Sequence, residues 1–438
     1  MQGKEKTVMN IAENTTEKTN RVAAFAMSLL LACAWLLSDR MSTGLFLFSY
    51  SYRMQTMYPI LSLFTMSVIY LAFIFHAVKK HLKINYGILA FYCAIFLFYF
   101  IPTAYYGEAV SRWVDSFVWS VPAILLVGLM MSSEHDGKIF VHAVSIMSII
   151  ISALNLLFIL FPGLYSVVSE WREEYFMGFH TLIGFQLLFG LFFSMLDMHL
   201  NGNKAVFIIC LALALANHAL MRSGVGLIGI FVFALYFIPP VRRLVEKTDA
   251  NIFVVLIIII FLILVFGLQT VTSLAPVRHL LEDVLHKETT LSGRLYVWQH
   301  VMDEVKRRPV FGYGMWASTE LVYEPSRYNS SWQHAHNAFL QTLHEGGLMT
   351  LFAGIAMLFY SADRINAIKD KRMAGLFKMT LFTVLVMYQA DFYSYYTWFP
   401  VAILCHMACQ AARPAAEPFT RTFDSSLRKI FRKPGGNS

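Results

Sequence analysis

Long apolar runs follow one another along most of this chain of 438 residues and constrain its fold more than any other feature. Each run has 17–25 residues, and an α-helix needs about 20 to cross the hydrocarbon core of a bilayer. Only a helix satisfies its own backbone groups in such surroundings. The sequence therefore predicts an all-α polytopic membrane protein with about 12 transmembrane helices. The predicted spans are 22–38, 57–78, 84–106, 113–132, 139–163, 178–197, 205–221, 223–240, 252–271, 338–361, 373–393 and 396–412.

The overall composition supports this class. Hydrophobic residues make up 57% of the chain and charged residues 14%, whereas soluble domains are about 45–50% apolar and about 25% charged. This excludes a soluble multidomain enzyme, a coiled coil and a disordered chain. It also excludes a nucleic-acid-binding protein, because the net charge of +8 is spread over a mostly apolar chain. No small-residue cleavage site follows the first run, so we interpret that run as a retained helix.

The lysines and arginines predict how the chain is oriented. With the N-terminus in the cytoplasm, 23 of the 35 basic residues fall on the cytoplasmic side. Of the 12 outside, 7 lie in one long loop, and the positive-inside rule does not count long loops. We therefore expect both termini in the cytoplasm. The predicted order is a tail at 1–21, nine helices within 22–271, an outer loop at 272–335, three helices within 336–412 and a basic tail at 413–438.

The cysteines give no sign of a disulfide framework or a metal site. All five fall inside predicted spans, and their spacing matches no metal motif. They are Cys33, Cys93, Cys210, Cys405 and Cys409.

The outer loop at 272–335 has a pattern of its own, with 14 charged residues among 64. Ser292 is a candidate N-cap for a helix that Pro309 ends. One face of this helix is apolar at three- and four-residue spacing, which predicts packing against the membrane surface or the bundle. That face consists of Leu295, Trp298, Met302 and Val305. A turn with two glycines follows at 309–316.

Two arginines stand out on the predicted outer side. Arg294 falls in the first turn of the loop helix, where backbone N–H groups favour an anion and a guanidinium suits a phosphate or pyrophosphate. A salt bridge within the loop is an equal alternative, to Glu282, Asp283 or Glu288. Arg222 interrupts the apolar stretch at 205–240. An intramembrane cation is a functional candidate, and a boundary arginine that reaches to the surface is the alternative.

Two histidines precede the tenth predicted span. An imidazole can accept a proton near neutral pH, so His336 is a candidate base for a sugar hydroxyl. An ordinary interfacial histidine is the alternative. His334 lies two residues away, and on a helix the two side chains would diverge. With no Cys or Asp at ligand spacing, we expect no metal here.

The motifs around these residues resemble the O-antigen ligase/polymerase superfamily. This superfamily includes O-antigen ligases, Wzy-type O-antigen and exopolysaccharide polymerases, and some protein O-oligosaccharyltransferases. The resemblance covers residues 218–360. Each motif is short, but four of them occur in order on the predicted outer side. They are Arg222-Ser223-Gly224, then Gly293-Arg294 with Trp298, then Pro309 with Gly312-Tyr313-Gly314, and then His334-Ala335-His336-Asn337-Ala338-Phe339-Leu340-Gln341 with Glu345-Gly346-Gly347.

The resemblance implies a GT-C-like fold in a bacterial inner membrane, with a large structured periplasmic loop between the ninth and tenth spans. Such enzymes transfer a glycan en bloc from undecaprenyl pyrophosphate to an acceptor hydroxyl at the periplasmic face, without a metal or other cofactor. Carried over, the catalytic residues are Arg222 and Arg294, which hold the pyrophosphate, and His336, which orients or deprotonates the acceptor. Further substrate contacts fall to His334, Asn337, Tyr313 and Trp298.

The same resemblance implies the partners. They are a glycan linked to undecaprenyl pyrophosphate, an acceptor glycan or lipid A–core, membrane lipids and, as a candidate, a chain-length regulator. No nucleic acid is expected.

The motifs leave polymerase and ligase both open. A ligase-type pattern is present at His336, Asn337, Gly347 and Thr350. In this pattern nine residues separate His-Asn from a Gly, and a Gly, Thr or Tyr follows three positions later. The ligase-type Arg-x-x-x-Leu is not, since Gly226 stands four residues after Arg222. The form of 334–341 is more typical of exopolysaccharide polymerases, which we favour. A transporter of lipid-linked glycans is an alternative from another class, but it should show internal repeats, and this sequence has no convincing one.

Overall fold

The computed structural model describes residues 86–106, 110–131, 134–161, 167–169, 172–175, 178–221, 223–267, 294–315, 334–390 and 397–412. The predicted spans at 22–38 and 57–78 lie outside these residues, as do both predicted tails. Much of the outer loop, 272–293 and 316–333, lies outside them as well.

Helices occupy all ten predicted spans from residue 84 onwards, and two more helices lie between spans. In chain order they are α1 (Tyr86–Tyr106), α2 (Val110–Met130), α3 (Glu134–Leu160), α4 (His180–Asn201), α5 (Lys204–Met221), α6 (Gly224–Ala234, followed by a 3₁₀ turn at Leu235–Phe237), α7 (Pro239–Lys247), α8 (Ala250–Leu262, followed by a π-helical turn at Ile263–Gly267), α9 (Arg294–Arg307), α10 (Ala338–Asn366), α11 (Lys371–Ala390) and α12 (Phe399–Ala411).

Among the described residues, seven helices are long and apolar enough to cross a membrane, or eight if α6 and α7 count as one bent span. The prediction of a mainly helical, multi-pass membrane protein is therefore confirmed. Within the described residues, the predicted span at 396–412 is present only as the shorter apolar helix α12. α12 has 13 residues, which at 1.5 Å per residue reach about 20 Å of the roughly 30 Å that a bilayer core requires.

The predicted span at 223–240 ends early, because the chain turns by 89° between α6 and α7. Pro239 and Pro240 occupy the first two positions of α7. Proline is tolerated there but would break the hydrogen-bond ladder inside a longer helix. On α7 the Leu244 side chain is 65% exposed, and Arg242 and Arg243 precede it. This arrangement is typical of a helix that lies in the plane of a membrane surface.

A small antiparallel sheet departs from the all-α prediction. Its strands are β1 (Val167–Ser169), β2 (Arg172–Tyr175) and β3 (Gly178–Phe179). Val168 pairs with Glu173, and Tyr175 pairs with Gly178. Strands of two to four residues are too short to produce a recognisable hydrophobic period, so no pattern in the sequence predicted them.

α11 is the most enclosed of the candidate spans. In its apolar segment 78% of the residues are buried, against 22% for Ala250–Gly267. Its rings pack edge-on against those of two neighbouring helices, with Phe377 at 5.1 Å from Phe192 and Tyr388 at 6.4 Å from Phe339. α11 is thus packed against neighbouring helices along its length. Its C-terminal end holds the candidate site.

Contacts between helix ends agree with the alternation of sides that the sequence predicts. At the end assigned to the cytoplasm, His199 Nε2 lies 2.8 Å from Asp370 Oδ2, and Lys378 Nζ donates to Thr248 O at 2.7 Å. At the opposite end, the Met315 N–H donates to Thr103 Oγ1 at 2.9 Å. Each contact joins residues that the prediction places on the same side.

Candidate active site

A closed circuit of hydrogen bonds joins three elements at the end of α11. The Arg294 guanidinium, on the first residue of α9, donates to the carbonyl of Ala390. One turn along α9, Trp298 Nε1 donates to Ala335 O at 2.7 Å. The circuit closes where Asn337 Nδ2 donates to Gln389 Oε1 at 3.1 Å. These bonds hold Arg294 and the His336 segment around the same helix end.

Arg294 is half-buried and begins α9, as the sequence predicted. The first backbone N–H groups of a helix have no intrahelical acceptor and favour an anion together with the guanidinium. The predicted apolar face of α9 is also present, with Trp298 and Val305 buried beside Val297 and Val301. The three acids named as alternative partners of Arg294 lie outside the described residues, so that alternative stays untested.

The two histidines adopt an arrangement that the sequence did not predict. They precede α10, and the ring centroids of His334 and His336 are 4.0 Å apart at 63°. The expectation that they diverge was wrong because it assumed a helix. His336 has a φ of 48°, a left-handed conformation that is uncommon for a residue other than glycine. Strained backbone of this kind clusters at functional sites.

Asn337 and Trp298 belong to the framework of this site. Asn337 is the N-cap of α10, and its Oδ1 accepts from the Phe339 and Leu340 N–H groups at 3.1 and 3.0 Å. Asn337 is fully buried, and Trp298 is 3% exposed. Behind the His336 segment, Gln341 Oε1 accepts from the Ala335 N–H at 2.7 Å. Both predicted contact residues therefore act on His336 by fixing its backbone.

Tyr313 lies beside the His336 segment's own helix, against His344 of α10. Its ring stacks on His344 with centroids 4.9 Å apart and 12° between planes, and its hydroxyl donates to Glu304 O at 3.2 Å. Burial and the neighbouring Glu304 raise the pKa of Tyr313 to about 12. Interaction of the Tyr313 hydroxyl with the Glu304 side chain in turn lowers the pKa of the Glu304 carboxyl. Arg308 completes the stack, with its guanidinium carbon 4.5 Å from the Tyr313 ring centroid.

α10 is interrupted at Gly347, whose φ of 64° and ψ of −169° are not helical. The turn at 309–315 fills the break with its own backbone. The Tyr313 and Gly314 N–H groups donate to His344 O and Glu345 O at 3.0 and 2.7 Å, and the Leu348 N–H donates to Pro309 O at 2.8 Å. A helix broken within a membrane must have its free backbone groups satisfied by protein, and this turn provides the partners.

Arg222 lies outside the described residues, but both of its flanks are placed. Ser223 is the N-cap of α6. α6 and α11 are antiparallel, since the Tyr236 hydroxyl donates to Arg372 O near the start of α11, while a Cβ on Gly229 would lie 2.5 Å from Met387 Sδ near its end. Ser223, which follows Arg222, is therefore near the same end of α11 as Ala390.

Three polar residues of this region received no predicted role, although two of them, Gln341 and Glu345, belong to the histidine motif. Gln341 and Glu345 are linked by a bond of 2.9 Å from Nε2 to Oε1, and they are 1% exposed. Gln389 is 7% exposed. All three interrupt predicted apolar spans, and polar side chains there usually mark function. That signal was present in the sequence.

We expect the Trp298→Phe variant to lose activity without losing membrane insertion. The substitution removes the bond to Ala335 O and leaves that buried carbonyl without this donor, at a cost of about 1–3 kcal/mol. Because Ala335 adjoins His336, the rate of the glycan transfer that the sequence motifs predict should fall about tenfold. Transfer rate and thermal unfolding of the purified protein in detergent measure the two effects.

Trp113→Phe is the matched control for this prediction. Trp113 Nε1 donates to Phe96 O at 2.8 Å between α1 and α2, so this variant loses the same kind of bond elsewhere. It should lose comparable stability and keep its transfer rate. Equal losses of activity in both variants would show that Trp298 acts only through general stability.

Together, the fold and the site define a multi-pass membrane protein with a polar centre at one end of its bundle. Residues 205–355 match the family model described as O-antigen ligase. This match supports the resemblance to the O-antigen ligase/polymerase superfamily over 151 of the 438 residues. The matched residues include Arg222, Arg294 and His336 and end before α11.

Two relatives match a similar share of the chain. A Rickettsia felis protein, provisionally described as a polysaccharide ligase, is 27% identical over 127 residues, which are 26% of this chain and 31% of the relative. A Rickettsia conorii protein with the same provisional description is 24% identical over 133 residues, or 27% of this chain and 32% of the relative. The chain thus spans about a third of the length of these curated relatives. No solved structure matches it.

Proposed function

We propose that this protein is a membrane glycosyltransferase that moves an oligosaccharide en bloc from undecaprenyl pyrophosphate to an acceptor hydroxyl. The reaction we favour is the polymerisation of O-antigen or exopolysaccharide repeat units. The observation that carries the proposal is the circuit at the end of α11, because it brings a cationic group, Arg294, and a candidate base, His336, to one helix end.

The chemistry follows from these two groups. The acceptor oxygen attacks the anomeric carbon of the donor sugar while the bond to the pyrophosphate oxygen breaks, which inverts the configuration of that carbon. Arg294, joined in this proposal by Arg222, stabilises the charge that develops on the leaving pyrophosphate. His336 takes the proton of the acceptor hydroxyl. No step in this scheme requires a metal.

The proposed setting is a bacterial inner membrane, with the site on the periplasmic face and both termini in the cytoplasm. It includes the full set of about 12 spans and the GT-C-like arrangement, with the outer loop between the ninth and tenth spans. The alternation of sides among the described helix ends supports this setting. A chain-length regulator remains a candidate partner within the proposal.

A ligase that attaches the glycan to lipid A–core is the second candidate. The break at Gly347 supports it, because the ligase-type pattern requires a glycine at that position and the backbone conformation found there suits glycine alone. The form of the histidine motif supports the polymerase, and we favour it on that ground.

One assay separates the two reactions. Purified full-length protein in nanodiscs is incubated with a repeat unit linked to undecaprenyl pyrophosphate, with and without lipid A–core. We expect a ladder of chain lengths in both cases. Transfer of single repeats to lipid A–core without a ladder would identify a ligase, and no transfer to either acceptor would overturn the proposal.

A further inference from the structure

We propose that the side-chain amide of Gln389 donates a hydrogen bond to a pyrophosphate oxygen of the lipid-linked donor, beside Arg294. This inference rests on the proposed function and extends it to a residue outside the matched family domain at 205–355. Gln389 would be a direct substrate contact, in addition to its bond with Asn337.

The orientation of the Gln389 amide follows from a helix cap. Asn337 Oδ1 accepts two hydrogen bonds from the first turn of α10, so the amide nitrogen of Asn337 must point the other way. It donates to Gln389 Oε1 at 3.1 Å. Because a glutamine amide has one oxygen and one nitrogen, Gln389 Nε2 must face away from Asn337. The N-cap interaction of α10 thus sets the orientation of the Asn337 amide, and the Asn337 amide sets the orientation of the Gln389 amide.

The Gln389 Nε2 group is a buried donor with no hydrogen-bond partner within the part of the chain that the structure describes. In two other buried glutamines, the Nε2 group donates a hydrogen bond. Gln341 Nε2 donates to Glu345, and Gln410 Nε2 donates to Gly128 O at 3.4 Å. A buried donor without an acceptor is costly, and such groups call for an explanation by a ligand, ion or water.

The position of this donor favours an anion as the ligand. The carbonyl end of a helix carries a partial negative charge and repels anions. At the end of α11, however, the Arg294 guanidinium binds the carbonyl of Ala390, the residue next to Gln389. The Arg294 guanidinium and the Gln389 side chain thus both lie at this helix end. Two such donors suit the several oxygens of a pyrophosphate.

The test measures the binding of undecaprenyl pyrophosphate and of undecaprenol to the full-length protein in nanodiscs. In Gln389→Glu the side chain still accepts from Asn337, but an anionic oxygen replaces the donor. We expect the Kd for undecaprenyl pyrophosphate to rise at least about tenfold, while the Kd for undecaprenol stays unchanged. Gln389→Met removes the donor without adding charge, and it also removes the acceptor of Asn337 Nδ2. It should raise the same Kd about fivefold.

Gln410→Glu is the matched control, because it places the same acid at another buried glutamine, 8% exposed on α12. It should leave the affinity for undecaprenyl pyrophosphate unchanged. If Gln389→Glu fails to fold, an unchanged Kd for undecaprenyl pyrophosphate in the neutral Gln389→Met variant still overturns the role of Gln389.

The outcomes separate this inference from the proposed function. A wild-type protein that binds undecaprenyl pyrophosphate no better than undecaprenol would overturn both. If the wild type shows the preference and Arg294→Ala abolishes it, but both Gln389 variants bind as the wild type does, only the role of Gln389 is overturned. An effect of the Gln389 variants on the KM of the acceptor alone would also overturn it.

Discussion

Replacing Arg294 with alanine is expected to lower kcat/KM for glycan transfer about 100- to 1000-fold, the usual effect of removing a donor that stabilises transition-state charge. The guanidinium has several N–H groups in a fixed plane, so it can donate to Ala390 O and still present others to the pyrophosphate. Lysine keeps the charge but not this geometry, and Arg294→Lys should therefore lose at least about tenfold. Initial rates at varied donor concentration measure both effects.

Arg307→Ala is the control, because it removes an arginine from the other end of α9. The Arg307 side chain is 71% exposed and pairs with Glu304 at 2.6 Å, and exposed ion pairs of this kind contribute little to stability. Full activity in Arg294→Lys would contradict the proposal that this side chain must donate to both Ala390 O and the pyrophosphate. A similar loss in Arg307→Ala would mean that any damage to α9 lowers the rate.

The sequence predicted those parts of the site that depend on local pattern. α9 extends from Arg294 to Arg307, and the apolar period and Pro309 predicted a helix over these residues. The positions of the described helices follow in the same way from the apolar runs. Arg294 and His336 were identified because a charged or titratable group in an apolar setting requires an explanation.

The features of the site that the sequence did not predict depend on single backbone angles or on contacts between distant segments. The facing rings of His334 and His336 follow from one left-handed residue before α10, and no period in the sequence signals a single backbone angle. Gln389 is 52 residues from Asn337, so their pairing required the packing of α10 against α11. The 89° turn before α7 could have been predicted from the sequence, because two adjacent prolines mark it.

The largest structural effect is expected for Gly347→Ala. The φ of 64° and ψ of −169° at this position are accessible essentially to glycine alone. An added Cβ would also lie 2.2 Å from Val310 O, in the turn that satisfies the broken helix. Strain and collision together should lower the free energy of unfolding by about 2–5 kcal/mol. Titration with SDS measures this loss, and transfer activity should fall with it because the turn at 309–315 is displaced.

Gly202→Ala separates the two causes. Gly202 has a φ of 77°, similar to that of Gly347, but no atom lies within 4 Å of the position that its Cβ would take. This variant should lose only the cost of the backbone strain, about 1 kcal/mol, and keep full transfer activity. The difference between the two variants then measures the collision with the turn together with the strain that the ψ of −169° adds at Gly347. If Gly347→Ala is as stable and as active as Gly202→Ala, the turn does not depend on that contact, and the break is a feature of α10 alone.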